Sequence, residues 1–560
     1  MSTSESPDAA ARAELPLATR PGKLANARVQ TRASVTFAAV VSRWSPYAWG
    51  AIGATAAFIA VTGWWLTQDR SIPIFDVGDQ LETVLEYHQM LQAGNLLGPF
   101  THETVYPILV HMVGALAVSV GGVSVASPVL GENLVFVPLL ALGCYQTGRL
   151  LFGRLAGMLA VIFVFGSSLL ISLSHVLLLD APLTALVAVS VWLILASEDF
   201  SRPGVAAMAG LAVGLGLNAK VQFVLYVVGL IAIVMLHGGW RNRRGLAIFL
   251  AVAAVVGLPW YLVHFSELGR MLELASAGPG TPPGNIPPRL STDNLLWYFW
   301  SVLNSQLLAP LFVLAVAGVV WLAVTVVRER GRHAARLEFL AGGFAAWFVI
   351  TFVTIHHDIR YGLPLLAFLS VAATGWISQV PRIVRVAAIS VLALGVAASM
   401  LGTDFGVGSG VEVALTSKPP ANEQDPDRVV FYAPGGFLAG APSRDGDVPG
   451  LLQALHREGV TTVAWGAGQS AGADFSFEGL KPLADIAKLR SVITAAPEYA
   501  RSTTVATLIH EPVKVHTPPT CTRLSDGTGV WVVRYDLAAG EFALFCPSHS
   551  PRYYDFGVVA

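Results

Sequence analysis

The run Leu246-Ala247-Ile248-Phe249-Leu250-Ala251-Val252-Ala253-Ala254-Val255-Val256-Gly257-Leu258-Pro259-Trp260-Tyr261-Leu262-Val263 carries no charged residue. A helix rises about 1.5 Å per residue, so this run reaches across most of a hydrocarbon core roughly 30 Å thick. Directly before it stands Arg241-Asn242-Arg243-Arg244, a basic cluster of the kind that stays on the cytoplasmic side of a membrane. One stretch thus supplies both a span and its orientation.

The same alternation continues in both directions. The 560-residue chain is 54% apolar and only 13% Asp, Glu, Lys and Arg, a composition that points to a polytopic all-α membrane protein. Spans are expected at Tyr47–Leu66, Leu134–Leu151, Leu155–Val176, Ala181–Ala196, Val205–Leu217, Val221–Leu236, Leu246–Val263, Leu307–Val327, Phe339–Ile355, Leu363–Ile377 and Ile383–Met400, about 11 transmembrane helices. With this count Arg149 and Arg154, Arg202, Arg241 to Arg244, Arg328 to Arg332, and Arg382 with Arg385 all fall in loops on the side of the amino terminus. Val105 to Gly121 is apolar enough to cross, but counting it would scatter the arginines over both faces. It is therefore read as a helix lying in the interface.

Three regions follow. Residues 1–45, rich in Ala, Ser, Pro and Arg, read as a disordered cytoplasmic tail with no cleavable signal near Met1. Residues 46–402 form the membrane domain, with a large first outer loop over 67–128. Residues 403–560 read as an extracytoplasmic α/β domain: strands at Val429–Tyr432 and Thr461–Trp465, helices at Val448–Glu458 and Leu480–Leu489, and a hairpin of Val530–Tyr535 with Phe542–Cys546. Cys521 and Cys546 of this domain could form a disulfide in an oxidising compartment. The net charge of −1 argues against a nucleic-acid partner.

The outer loop opens with Phe75-Asp76-Val77-Gly78-Asp79-Gln80-Leu81-Glu82, three acids in a chain poor in them. Asp79 and Glu82 have the spacing of a helix entrance, and Leu81, Val84, Leu85, His88 and Leu91 continue at helical period. Asp79 reads equally as a helix N-cap, and Asp76 as a solvated acid. Other candidates share the outer face: His102, Glu103, Asp180, Lys220, His356, His357, Asp358, Arg360 and Tyr361. Asp180 stands between apolar residues, where an acid costs about 2.5–3.5 kcal/mol at a helix centre and usually faces a cavity or a partner. Lys220 ends the glycine-rich Gly214–Lys220 and reads either as a snorkelling lysine or as a cation for phosphate. Arg360 could hold phosphate oxygens through paired hydrogen bonds. His356 to Asp358 could ligate a divalent ion, but ligands within three residues are weak evidence, so neither a metal nor another cofactor is expected.

The order of these pieces resembles the polyprenyl-phosphate-dependent membrane glycosyltransferases of superfamily C, of the protein O-mannosyltransferase and lipid A aminoarabinose transferase type. The resemblance spans roughly Tyr47 to Met400. It rests on Asp76-Val77-Gly78-Asp79 after the first span, Tyr106-Pro107, Arg149-Leu150-Leu151-Phe152-Gly153-Arg154, Leu179-Asp180-Ala181-Pro182-Leu183, Gly214–Lys220 and Arg360-Tyr361-Gly362-Leu363-Pro364. It implies transfer of a hexose or pentose from a polyprenyl-phosphate donor to a hydroxyl acceptor at the outer face of the cell membrane, with inversion at the anomeric carbon. Asp79, Asp76 and Asp180 would be catalytic, and Lys220 and Arg360 would bind the donor phosphate. Glu82, Glu103, His102, His357 and Tyr361 would contact substrate, and an apolar groove near Trp260, Tyr261, Trp297 and Trp300 would hold the lipid, although these aromatics read equally as a belt at the membrane interface. The family commonly has Glu after its loop Asp, where this chain has Gln80. A secondary transporter or flippase for lipid-linked sugar is the alternative, but such folds place ionisable groups at mid-membrane in related halves. Here the candidates lie near span ends.

The odd span count makes a direct prediction. In a cysteine-free background, a cysteine at Arg243 is labelled only from the cytoplasmic side and one at Ser409 only from outside. Labelling of both from one side contradicts the topology.

Overall fold

The computed structural model describes residues 45–69, 76–102, 104, 106–122, 124–267, 269, 287–329, 334–354, 357–417, 427–432, 442, 462–466, 520–523, 531–537, 540–545 and 555–559; for Gly78, Asp79, Glu82 and Glu267, and from residue 462 on, it describes the backbone only. The segment 1–45, the helices expected at Val448–Glu458 and Leu480–Leu489, Glu103, His356 and Cys546 lie outside the described residues, apart from Ser45.

The described chain up to Phe405 is helical. Its α-helices are α1 (Pro46–Gln68), α2 (Asp76–Gln92), α3 (Gly98–Thr101), α4 (Leu109–Gly121), α5 (Ala126–Phe152), α6 (Arg154–Val164), α7 (Ser168–Leu173), α8 (Asp180–Ala196), α9 (Pro203–Leu217), α10 (Phe223–His237), α11 (Arg243–Val263), α12 (Thr292–Ser301), α13 (Leu308–Glu329), α14 (Ala334–Val353), α15 (Leu366–Gly375) and α16 (Arg382–Phe405). Among the described residues, seven helical stretches are long and apolar enough to cross a membrane: α1, α5, α11, α13, α14, Ile359–Ser378 around α15, and α16. The shorter apolar helices are α4, α6, α8, α9 and α10. The protein is thus a multi-pass, mostly helical membrane protein.

Several expected boundaries shift for local reasons. The run Leu155–Val176 is not one helix: α6 ends at Val164, and Ser167 caps a new short helix by accepting the Leu170 N–H. Leu363–Ile377 begins as a 3-10 strap, Ile359–Leu365, which contains Pro364. Between Phe152 and Arg154 the chain reverses at Gly153, whose φ of 97° suits glycine and no side chain. The Val105–Gly121 run yields only the 13 residues of α4, about 20 Å long and short of the hydrocarbon thickness.

The arrangement of the bundle places one helix at its centre. Every residue of α8 is buried except Trp192 and Ala196, which are partly so. It packs against α5, α9, α10 and the strap. Close approach to α5 is possible because Gly143 has no side chain; a Cβ there would lie 2.5 Å from the Ala188 carbonyl carbon. A helix apolar on all sides suits a protein core or a membrane span, and the neighbours packed around α8 put it in the core. Its first residue, Asp180, is thereby carried into the interior of one end of the bundle.

Beyond Phe405, β1 (Val411–Ala414) pairs antiparallel with β2 (Arg428–Tyr432). A five-stranded antiparallel sheet has the order β3-β7-β6-β5-β4, from β3 (Thr462–Gly466), β4 (Thr520–Arg523), β5 (Trp531–Leu537), β6 (Gly540–Phe545) and β7 (Asp555–Val559). β5 and β6 pair antiparallel, as expected for the hairpin of Val530–Tyr535 with Phe542–Cys546, but Gly540, expected in its turn, belongs to β6 and pairs with Leu537. Cys521 lies on β4.

Candidate active site

Asp180 and Lys220 meet at this end of the bundle. The chain after α9 does not run straight into α10. The Asn218 side chain donates to Gly214 O at 3.0 Å and to Val256 O at 2.7 Å, and the Lys220 N–H reaches back to Gly216 O at 3.3 Å. This turn points Lys220 inward. Its Nζ lies 2.8 Å from Asp180 Oδ1, with 7% and 2% of the two side chains exposed. The snorkelling alternative for Lys220 is therefore wrong: snorkelling places an ammonium in water, and here a carboxylate holds it inside.

The second cation sits on the strap. Asp358 opens the Ile359–Leu365 turn by accepting the Arg360 N–H at 2.8 Å through Oδ1. Its Oδ2 accepts Arg360 Nε at 2.9 Å and Nη2 at 2.7 Å. The remaining arm of the guanidinium, Nη1, donates to Asp76 Oδ2 at 2.8 Å. Burial alone would raise the Asp358 carboxyl, but the charge and hydrogen bonds of Arg360, with Lys220 beyond, outweigh it and hold it below the usual range. The stability Asp358 contributes is accordingly present at neutral pH and lost as pH falls through its lowered folded value. The Asp76 arm is weaker, because that side chain is 48% exposed.

The two ion pairs are neighbours. Lys220 Nζ stands 5.7 Å from the ring centre of Tyr361, the residue after Arg360, and Tyr361 O accepts the Tyr226 hydroxyl at 2.9 Å. Tyr106 also faces the cluster. Burial first, then the negative charge of Asp76, pushes its hydroxyl above the ordinary range, so it remains an O–H donor at neutral pH. Three carboxylates, Asp76, Asp180 and Asp358, thus surround two cations, Lys220 and Arg360.

Other sequence candidates sit elsewhere. Position 79 lies within α2 (Asp76–Gln92) and not at its cap; the side chains of Asp79 and Glu82 lie outside the described residues. His111 Nε2–H donates to Gln80 Oε1 in a buried contact, a neutral pair where a glutamate would bring a charge. His102 Nε2 is 2.8 Å from Glu86 Oε2, and its backbone oxygen contacts His264 Nε2 at 2.9 Å. His357 is stacked on Tyr298 at 5.4 Å, with Trp297 edge-on at 5.0 Å. Trp260 is fully buried and stacks on His264 at 4.3 Å. Tyr106 gains a site role that the sequence did not suggest, and Asp358, read from the sequence only as an outer-face acid and metal ligand, is instead the partner of Arg360. The Asp-x-Arg spacing was the available signal for Asp358, since an Asp side chain readily bonds the N–H two residues on.

The fold and this cluster define a polytopic helical membrane protein with a buried cation–carboxylate centre at one end of its spans. Residues 106–265 match the family model described as dolichyl-phosphate-mannose-protein mannosyltransferase, and over this segment, which holds Tyr106, Asp180 and Lys220, the chain resembles the polyprenyl-phosphate-dependent glycosyltransferases of superfamily C. No curated protein matches the chain. Among solved structures, ArnT from Cupriavidus metallidurans is similar at 15% identity and a TM-score of 0.46, both in the apo state and bound to undecaprenyl phosphate. The match covers 61% of this chain and 63% of that one, less than two thirds of its length.

The Asp180–Lys220 pair generates a stability prediction. Lys220→Met leaves a buried carboxylate without its cation and should cost about 3–5 kcal/mol. The double variant Asp180→Asn/Lys220→Met should unfold, in detergent, at a higher temperature than Lys220→Met alone. Simple additivity of the two single changes would show that the pair is not coupled.

Proposed function

We propose that the protein is a membrane glycosyltransferase that moves a monosaccharide from a polyprenyl-phosphate donor to a hydroxyl of a lipid, glycan or protein acceptor. The reaction takes place on the outer face of the cell membrane, with the amino terminus cytoplasmic and residues 403–560 outside. The observation that carries this reading is the convergence of Lys220 and Arg360 beside Tyr361, both within a cage of carboxylates. The family match over residues 106–265 supports it.

The charge balance suits a phosphate that gains charge during reaction. A sugar joined to a polyprenyl phosphate leaves a phosphodiester with one negative charge, and cleavage of the glycosidic bond releases a phosphate monoester with more. Lys220 and Arg360 stabilise that increase from fixed positions in a site with little water, where loss of one comparable donor costs roughly 3–4 kcal/mol of barrier. Before donor arrives, the carboxylates occupy the cations. A cation buried in this setting without a counter-charge is costly, so Asp180, Asp358 and Asp76 hold the two in place at lower cost. Asp76, the most exposed of the three, is the partner best able to yield its place on Arg360 to a phosphate oxygen.

The attacking acceptor hydroxyl must lose its proton as its oxygen reaches the anomeric carbon, and a carboxylate of the α2 entrance takes it. We assign this role to Asp79, with Asp76 one helical turn earlier as the competitor. One displacement inverts the anomeric carbon. Asp180 orients Lys220, and Tyr106 supplies a neutral hydroxyl to the same space. Tyr361, His357, His102, Glu82 and Glu103 remain proposed substrate contacts.

Sugar transfer measured in membranes with a lipid-linked donor tests the assignment. Asp79→Asn should abolish transfer at normal expression, and Arg360→Lys should lower it about 100-fold. Full turnover in Asp79→Asn with an inactive Asp76→Asn would move the base to Asp76. Full turnover in both would end the mechanism, and substrate-coupled uptake into vesicles would point to a transporter.

A further inference from the structure

Helices α12 and α13 are joined by a distorted turn. Val302–Gln306 wind as a π-helix, closed by the Leu307 N–H bonding to Val302 O, and Leu308 follows at φ 49°. A branched side chain avoids that left-handed conformation, and it persists only where the surroundings hold it. Single π turns are rare and recur at functional positions.

What holds this turn is visible on its two sides. Asn304, 6% exposed, donates through Nδ2 to Arg428 O at 3.1 Å and accepts the Val430 N–H at 3.3 Å. Both partners are backbone groups of β2, so one amide side chain takes the place of a neighbouring strand. Gln306, fully buried, donates through Nε2 to Ile359 O at 3.1 Å. Ile359 immediately precedes Arg360. The amide reaches it because residue 362 is glycine: a Cβ there would lie 2.5 Å from Gln306 Nε2. Residues two apart on a helix do not share a face, so one turn serves partners on different sides.

We infer that the turn Val302–Gln306 is a positioning element that couples strand β2 to the Arg360 strap, with Asn304 holding the strand and Gln306 setting the place of Ile359 and hence of the guanidinium. Neither residue touches the proposed reacting groups. Both act through the backbone that carries Arg360. The strand paired with β2, β1, follows α16 after residues 406–410, and β2 itself packs on α13 and the π turn. A displacement of β2 by an acceptor bound to the carboxyl-terminal region is therefore passed to the cation that holds the donor phosphate. That catalytic consequence rests on the function proposed above; the mechanical link does not.

The link is tested without any substrate. A nitroxide is attached at Phe431→Cys, a β2 position that is 41% exposed, in the full-length cysteine-free protein reconstituted in lipid. The clamp is then released at its far end by Asp358→Asn. The label's spectrum should change when Gln306 is present, and the change should vanish when Asp358→Asn is combined with Gln306→Leu. Gln306→Met, which fills the same space without an amide N–H, serves as the second variant should Gln306→Leu not fold. A label indifferent to Asp358→Asn with Gln306 in place, or responding equally without it, overturns the inference. A failed sugar-transfer assay would overturn the enzyme reading and leave this result standing.

Discussion

The buried ion pair between Asp180 and Lys220 is the contact on which the rest of the arrangement depends. A lysine this deep in an apolar bundle is stable only with its charge matched, and breaking such a pair is far more costly than never having built it. The match fixes two things at once. It pins the start of the central helix α8, and it requires the turn after α9 to point inward, which Asn218 enforces by bonding Gly214 and Val256. Of the glycines in the Gly214–Lys220 stretch, Gly214 lets the helix end pass close to α11 and Gly216 leaves room for the Phe223 ring of α10. The strap bearing Arg360 then completes the cluster from the other side, held by Asp358 and Gln306.

This pre-neutralised design has a functional consequence under the proposed reaction. A site of bare cations would bind any anion, whereas a caged site admits one that can replace a carboxylate. The exposed Asp76 is the point of exchange, and it shares helix α2 with Asp79. Donor entry and placement of the base are then linked through one short segment of chain.

Much of this was legible in the sequence, for identifiable physical reasons. Apolar runs report burial in lipid or protein directly, and arginine clusters at alternate loops gave helix boundaries close to those observed at α1, α9, α11 and α13. Asp180, Lys220 and Arg360 stood out because charge is expensive among apolar residues. Partners were not legible. Lys220 lies 40 positions from Asp180 and Arg360 lies 284 from Asp76, and no local period encodes such distances. The break after α6 was hidden because Gly166-Ser167-Ser168 is a short interruption of the run Leu155–Val176, and the π turn because Asn304-Ser305-Gln306 reads as an ordinary polar loop before the span expected from Leu307. The capping role considered for Asp79 failed because position 79 lies inside the helix Asp76–Gln92.

The central claim is that the cation–carboxylate cluster is a phosphate site for a polyprenyl lipid. Mass spectrometry of lipid extracted from the purified, undelipidated protein tests it most directly. The account predicts a polyprenyl phosphate, with or without its sugar, at near-stoichiometric amount in the unsubstituted protein and strongly reduced when Arg360 is replaced by methionine. Bulk phospholipid alone, or a polyprenyl phosphate retained equally by the methionine variant, would contradict it.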